Sequence, residues 1–379
     1  MHGVFGLRAG RAAALIGGCG AVAAGMLAAA VPAQAAALNC GTTIRASVTL
    51  TRDVNCTKNK VDDAITIGAA GITVNLNGHS IRGPGDANDT VAILDNGYSN
   101  VTVENGAISN FYTGVDAAGT STSYLTRLVV RNLTVTVNSL SDSGDGVSGS
   151  FVSRASISRL SVKYTGDGVG LDNSRHSSIN DSKFTGTSDG VYDNLGNSDV
   201  VSHNTMTGIT DNGVESSETT HMVISSNAIS GAAATGIYDN QGSRLTATGN
   251  SLSGLLDGIS DDQGSHNTFS GNKGTGDGHG VLTYEDNHAT YARNTFGNGA
   301  FGIEVGDPVG DTLTRNTTSR NTLAGIYVHV DNTSGDSAAL SDNVADDNGF
   351  GLYSQIPTAG KDNHAKGNAE INCHNVRCV

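Results

Sequence analysis

The feature that most restricts this chain is a glycine that returns at a nearly constant interval. Ser-Asp-Gly-Val-Tyr-Asp-Asn surrounds Gly190, and related stretches surround Gly168, Gly213, Gly236, Gly258, Gly280, Gly302, Gly325 and Gly351. The steps are about 22 or 23 residues, the last slightly longer. An asparagine column keeps the same period: Asn204, Asn227, Asn250, Asn272, Asn294, Asn316 and Asn343. Two columns in one register make this a repeat protein, whose units bury their apolar faces only by stacking.

The period is too short for paired-helix repeats and too long for hexapeptide coils. Within each unit, β-rich runs such as Asp199-Val200-Val201-Ser202 and His221-Met222-Val223-Ile224 alternate with Gly, Asn, Asp and Ser. No run has the length and period of a helix. Three strands and three turns per unit describe one coil of an all-β, right-handed parallel β-helix, built as a single solenoid domain. On this reading the repeated Gly supplies turns with φ > 0. The Asn column stacks amide on amide, and the Val or Ile after each Gly forms an inward aliphatic stack. Only four Pro interrupt the chain, as a continuous ladder requires.

These columns resemble the secreted right-handed parallel β-helix proteins, a broad group holding pectate lyases, polygalacturonases, alginate epimerases and NosD-like repeat proteins. The run Ile72-Thr73-Val74-Asn75-Leu76-Asn77-Gly78-His79-Ser80-Ile81 resembles the opening coil of many of them. The resemblance covers roughly residues 40 to 379 and implies the fold. Because one fold hosts many activities, function has to be argued from side chains.

Taken in order, residues 1–35 are expected to be a signal peptide. Arg8 and Arg11 open it, an Ala-rich apolar segment follows, and Ala33-Gln34-Ala35 forms a cleavage box. Its removal takes the net charge from −14 to about −16. Residues 36–75 form an N-terminal cap and first strands, 76–356 the β-helix, and 357–379 a C-terminal cap. Loops are expected near Ala117 to Tyr124 and around Ser334 to Ala338, where the spacing lengthens. Cys40, Cys56, Cys373 and Cys378 remain after processing. Ten or more coils at about 4.8 Å each hold the chain ends too far apart for a bridge between them. The expected disulfides are therefore Cys40–Cys56 and Cys373–Cys378, in an exported protein. The acidic balance argues against nucleic acid and anionic membranes, and a polysaccharide partner and a monomer are the expectation.

Candidate chemistry follows from the columns. With the residue after each Gly facing inward, the residue before the Gly and the one two after it are expected to face outward. The first of these columns includes Asp189, Asp257 and His279; the second includes Tyr192, Glu215 and Tyr238. Equivalent positions on adjacent coils lie about 4.8 Å apart. Stacked carboxylates at that spacing raise one another's pKa, so one can donate a proton while another accepts. Glu215, Asp257, His279 and Asp189 are the candidate catalytic residues, and Tyr192, Tyr238, Asp262 and Asn240 the candidate sugar contacts. Asp193, Asp239 and Asp261, placed on the same outer patch, are candidate Ca²⁺ ligands. No other cofactor is indicated. Gly278-His279-Gly280 resembles the Gly-His-Gly of polygalacturonases, although that family's Asn-Thr-Asp and Arg-x-Lys motifs are absent here. The functional expectation is a carbohydrate-active protein of hydrolase or lyase type. The alternative is a non-catalytic glycan-binding or structural solenoid, in which Asp before Gly serves only as a turn residue.

Overall fold

A computed structural model describes residues 34–58, 62–85, 90–137, 144–231, 235–331 and 336–379. Most of the expected signal peptide and the start of the expected insertion, 334–335, lie outside the described residues. Each regular coil contributes three short strands. Asp189–Asn194, Val200–Ser202 and Thr205–Thr207 make up one coil. Each pairs in parallel with its counterpart one coil later: Val191 lies opposite Val214, Val201 opposite Ile224, and Met206 opposite Ile229. The first strands stack into a 15-stranded sheet, hereafter the first face. The second and third strands run on together as one 26-stranded sheet, whose two ladders form the second and third faces. The expected parallel β-helix is the fold found, and no described residue is helical.

Each strand of a coil sends an apolar side chain inward. Val191, Val214, Ile237, Ile259 and Val281 line the first face; Ile179, Val201, Ile224, Phe269 and Tyr291 line the second; Phe184, Met206, Ile229, Leu252 and Phe296 line the third. All are fully buried. Burying one such side chain contributes about 1.5–3 kcal/mol, so the thin core gains its stability by repetition.

The corners are tight. His203, His221 and Arg244 hold left-handed backbone at φ 58, 58 and 56°, and Gly208, Gly231 and Gly254 hold another corner at φ 61–64°. The period-setting Gly column sits elsewhere, which corrects the expectation that it supplies φ > 0. Gly190, Gly213, Gly236 and Gly258 have ordinary φ. A Cβ at Gly213 would meet the carbonyl oxygen of Gly236 at 2.5 Å and Ile229 Cγ2 at 2.7 Å. A Cβ at Gly236 would meet the Gly258 oxygen at 2.5 Å. Gly and the residue after it both face the core, and only a missing Cβ lets the next coil approach.

The Asn column forms the expected ladder. Asn250 Nδ2 donates to Asn272 Oδ1 at 3.0 Å and to the Ile224 carbonyl at 2.9 Å, while Asn250 N–H donates to the same Asn272 oxygen at 3.0 Å. The pattern repeats from Asn204 to Asn343 and ends on Asn363. Disulfides Cys40–Cys56 and Cys373–Cys378 staple the two ends, with Cα separations of 5.6 and 6.5 Å.

The steric account predicts unequal effects of two Gly→Ala substitutions. At Gly254, where no atom lies within 4 Å of the added Cβ, only the left-handed backbone penalty of about 1–2 kcal/mol applies. Gly236→Ala adds overpacking against a backbone oxygen and should cost about 3 kcal/mol or more. Urea midpoints of the two variants measure this, and equal losses would mean that the column is not set by close approach.

Candidate functional site

The acidic residues before the Gly column do face outward on the first face, because the inward pair Gly and Val breaks strict alternation. Asp167 and Asp189 lie in register, and their carboxyls share a hydrogen bond. In the next coil Asn212 takes the equivalent place. Its N–H donates to Asp189 Oδ1 at 2.7 Å and its Nδ2 to Glu215 Oε2 at 2.8 Å. Oxygens of Asp189, Asp211 and Glu215 lie within 4.8 Å of one another. Burial, then the charge of Glu215, pushes Asp189 up to about 7. Burial also raises Glu215, against the hydrogen bond from Asn212. Tyr192 and Tyr238 flank Glu215 in register, so the cluster lies between two rings. Asn240 and Asp262 lie opposite each other, part-buried, at the end of the adjoining strands.

Asp257 and His279 are also brought together, forming a second group towards the C-terminus. His279 Nδ1 contacts Asp257 Oδ1 at 2.6 Å, and its Nε2 contacts Glu304 Oε2 at 3.1 Å. The other Glu304 oxygen meets His329 Nε2 at 3.3 Å, completing an Asp–His–Glu–His chain. Burial opposes a charge on His279, but the hydrogen bonds to Asp257 and Glu304 win and raise it to about 9. Burial likewise opposes ionisation of Glu304, yet the two imidazoles bring it down to about 2. The four candidate catalytic residues thus form two groups, with the Thr235–Asn240 strand between them. Sequence reasoning missed Asp211, Glu304 and His329. Glu304 stood in the outward column, and His329, four residues after Gly325, shares the column of Asn240 and Asp262.

The placement of Asp193, Asp239 and Asp261 on the outer patch is corrected. Each follows an outward Tyr or Ser by one position and points inward, almost wholly buried. Asp239 Oδ1 accepts from Ser216 Oγ at 2.5 Å, and Asn267 Nδ2 donates to Asp239 Oδ2 at 3.1 Å and to Asp261 Oδ2 at 2.8 Å. Asp261 also shares a hydrogen bond with Asp286. Burial raises all of them: Asp239 reaches about 6 and Asp286 about 7, and Asp261 lies well above the carboxylate range. Gly242 and Gly264 leave space for these groups, since a Cβ at Gly242 would lie 2.3 Å from the Asp239 oxygens.

Three comparisons place this architecture. Residues 195–378 match the family model of NosD, described as a periplasmic copper-binding protein. The A-module of a mannuronan C-5 epimerase from Azotobacter vinelandii superposes with a TM-score of 0.53 at 16% identity, covering 87% of this chain and 91% of its own. DFA-IIIase from Arthrobacter chlorophenolicus A6, in complex with DFA-III, gives 0.50 at 10% identity over 72% and 85%. Gene product 12 of bacteriophage phi29 gives 0.56 at 10% identity over 88% and 52%. The chain has the parallel β-helix fold. No curated protein matches it in sequence.

Within this β-helix protein, the donors suit a hard cation better than copper. Asp189, Asp211 and Glu215 offer oxygen only, and all four described Cys are in disulfides. Copper favours imidazole and sulfur donors. The imidazoles of His279 and His329 are separated by the Glu304 carboxylate rather than converging. The two disulfides fit an extracellular or periplasmic compartment. Among the described residues no helix is long and apolar enough to cross a membrane.

The interior carboxyls predict an acid-shifted stability profile. Their folded pKa values exceed those of the unfolded chain, so their contribution is complete near pH 4 and is lost as pH rises through about 6 to 7. The melting temperature of the wild type should therefore fall between pH 5 and pH 8. Asp261→Asn should flatten that fall, and an unchanged slope in this variant would show that the buried cluster does not set it.

Proposed function

We propose that this β-helix protein acts on a polysaccharide laid along the first face, by acid–base chemistry at Asp189 and Glu215. The observation that carries this reading is the close approach of those two carboxyls, one of them held protonated near neutral pH. Paired carboxyls about 5–5.5 Å apart are the arrangement of retaining glycoside hydrolysis. In this reading Asp189 donates a proton to the leaving oxygen and Glu215 serves as nucleophile or base. Tyr192 and Tyr238 stack against sugar rings on either side, and Asn240 and Asp262 bind hydroxyls. His279, with both ring nitrogens engaged by Asp257 and Glu304, orients those two carboxylates to accept hydrogen bonds from a sugar further along the face. The likeness to an epimerase named for mannuronan and to a DFA-IIIase bound to DFA-III supports a saccharide on this fold.

The test is release of reducing ends and of ultraviolet-absorbing unsaturated ends from neutral and acidic polysaccharides, with Ca²⁺ and with EDTA. Glu215→Gln should lower kcat about 10²–10⁴-fold without unfolding the protein. Wild-type kcat should decline as pH rises through about 7, because the donor Asp189 loses its proton there. Asp189→Asn should be inactive at every pH. An unsaturated product that disappears in EDTA would replace the hydrolase by a cation-dependent lyase, with Asp189, Asp211 and Glu215 as the oxygen ligands. Binding without turnover on any polymer would leave a non-catalytic glycan-binding solenoid.

A further inference from the structure

The second face differs electrostatically from the first. From Ser156–Ser158 to Thr290–Ala292 its strands send one residue inward and two outward. The outward positions are Ser, Thr, Asn, Val and Ala, and none carries a charge. In a chain with 36 acidic residues, seven successive strands without an outward carboxylate are a selective arrangement. Its two edges carry basic side chains, arginines and imidazoles. Along the edge that leads in from the first face, successive left-handed corners place Arg154, His176, His221, Arg244, His266 and His288, all exposed. Backbone hydrogen bonds link each of these corners to the next coil: Arg154 N–H to the Arg175 carbonyl, His176 to Asn197, His221 to Ser243, Arg244 to Ser265, His266 to Asn287. The row therefore advances by one coil, about 4.8 Å, per step. Ser198 stands in the same row between His176 and His221, and no carboxylate does. The rings of His266 and His288 stack with centroids 5.2 Å apart.

The other edge bears Arg159, His203, Arg293 and Arg315, with Asp181 as the acid among the middle coils. There Arg159, Lys183 and His203 line an open groove of about 490 Å³ together with Asn132, Asp181 and Thr205. Asp181 stands on this edge itself, and other acids near the face lie beyond its edges or are paired. Glu218 and Glu285 occupy corners three residues before His221 and His288, on the side of the first face. Arg315 pairs with Asp342 at 3.7 Å.

We infer that this second face is a docking track for a linear anionic polysaccharide, separate from the acidic first face. Arg154 and Arg244 on one edge and Arg159 and Lys183 on the other meet its carboxylate or sulfate groups, and the exposed imidazoles and the Ser and Thr hydroxyls donate hydrogen bonds to them and to its hydroxyls. The regular step allows many weak contacts in one register, so affinity grows with chain length. Nucleic acid fits less well, because the strands of this face present no outward aromatic ring for base stacking. An anionic bilayer needs an apolar face to enter it, and Val200 and Val223 are the larger apolar side chains on the middle strands.

Calorimetric titration with polygalacturonate, and with the same polymer fully methyl-esterified, tests this. Wild type should bind the free acid, bind the ester at least tenfold more weakly, and lose affinity as salt rises. The triple variant Arg154→Asn, Arg244→Asn, His266→Asn keeps residues that tolerate left-handed backbone. It should melt as the wild type does and bind the free acid at least tenfold more weakly, whereas Glu215→Gln should bind it unchanged. Equal binding of acid and ester, or wild-type affinity in the triple variant, would overturn the inference. So would loss of binding in Glu215→Gln alone, which would move the polymer to the first face, or tighter binding to duplex DNA or to phosphatidylserine vesicles. None of these outcomes depends on turnover at Asp189 and Glu215.

Discussion

Everything in this molecule must tolerate a copy of itself one strand spacing away, about 4.8 Å along the axis. That constraint explains the residues that repeat. A side chain can stand in a continuous column only if it is attracted to its own kind at that distance, or is absent. Asparagine satisfies it because its amide both donates and accepts, so Asn227, Asn250 and Asn272 bond to one another and leave no polar group unpaired. Valine and isoleucine satisfy it by dispersion and burial. Glycine satisfies it by absence, where the next coil's carbonyl oxygen occupies the space a Cβ would need.

The period, the strand content, the Asn ladder and the terminal disulfides were legible in the sequence because they follow from that self-complementarity and from reach. The direction of the polar side chains was less so. At Gly190 two consecutive positions face the core, and a strand read by strict alternation changes parity there. Asp189 was placed outward correctly, but Asp193 was assigned with it although it lies on the inward parity of the same strand. Its polarity suggested solvent, and only the surrounding hydrogen bonds show why a carboxyl can lie inside. Glu304 and His329 were missed for another reason. They belong to different columns of successive coils, and the contact between them is diagonal, which a column-by-column reading does not display.

Inward positions three after the repeated Gly are apolar at Ala117 and Leu171, and again at Val305 and Val328. Between these they are Asp193, Ser216, Asp239, Asp261 and Thr283. The middle coils are thus polar on the inner side of the same strands that carry Asp189, Glu215, Asp257 and His279 on the outer side. A buried polar seam is a stability disadvantage against an aliphatic stack of equal volume. Proteins tolerate such local conflicts mainly at functional sites.

The seam is held by hydrogen bonds, with Asn267 fixing Asp239 and Asp261. The raised pKa of Asp189 comes from its own burial and from the charge of Glu215 rather than from these interior groups. One layer of backbone separates the acidic first face from the interior, and the second face, whose strands from Ser156–Ser158 to Thr290–Ala292 present no charge, lies around two corners. The β-helix can therefore carry faces of different charge, because each strand's outward side chains are set by a different part of the repeat.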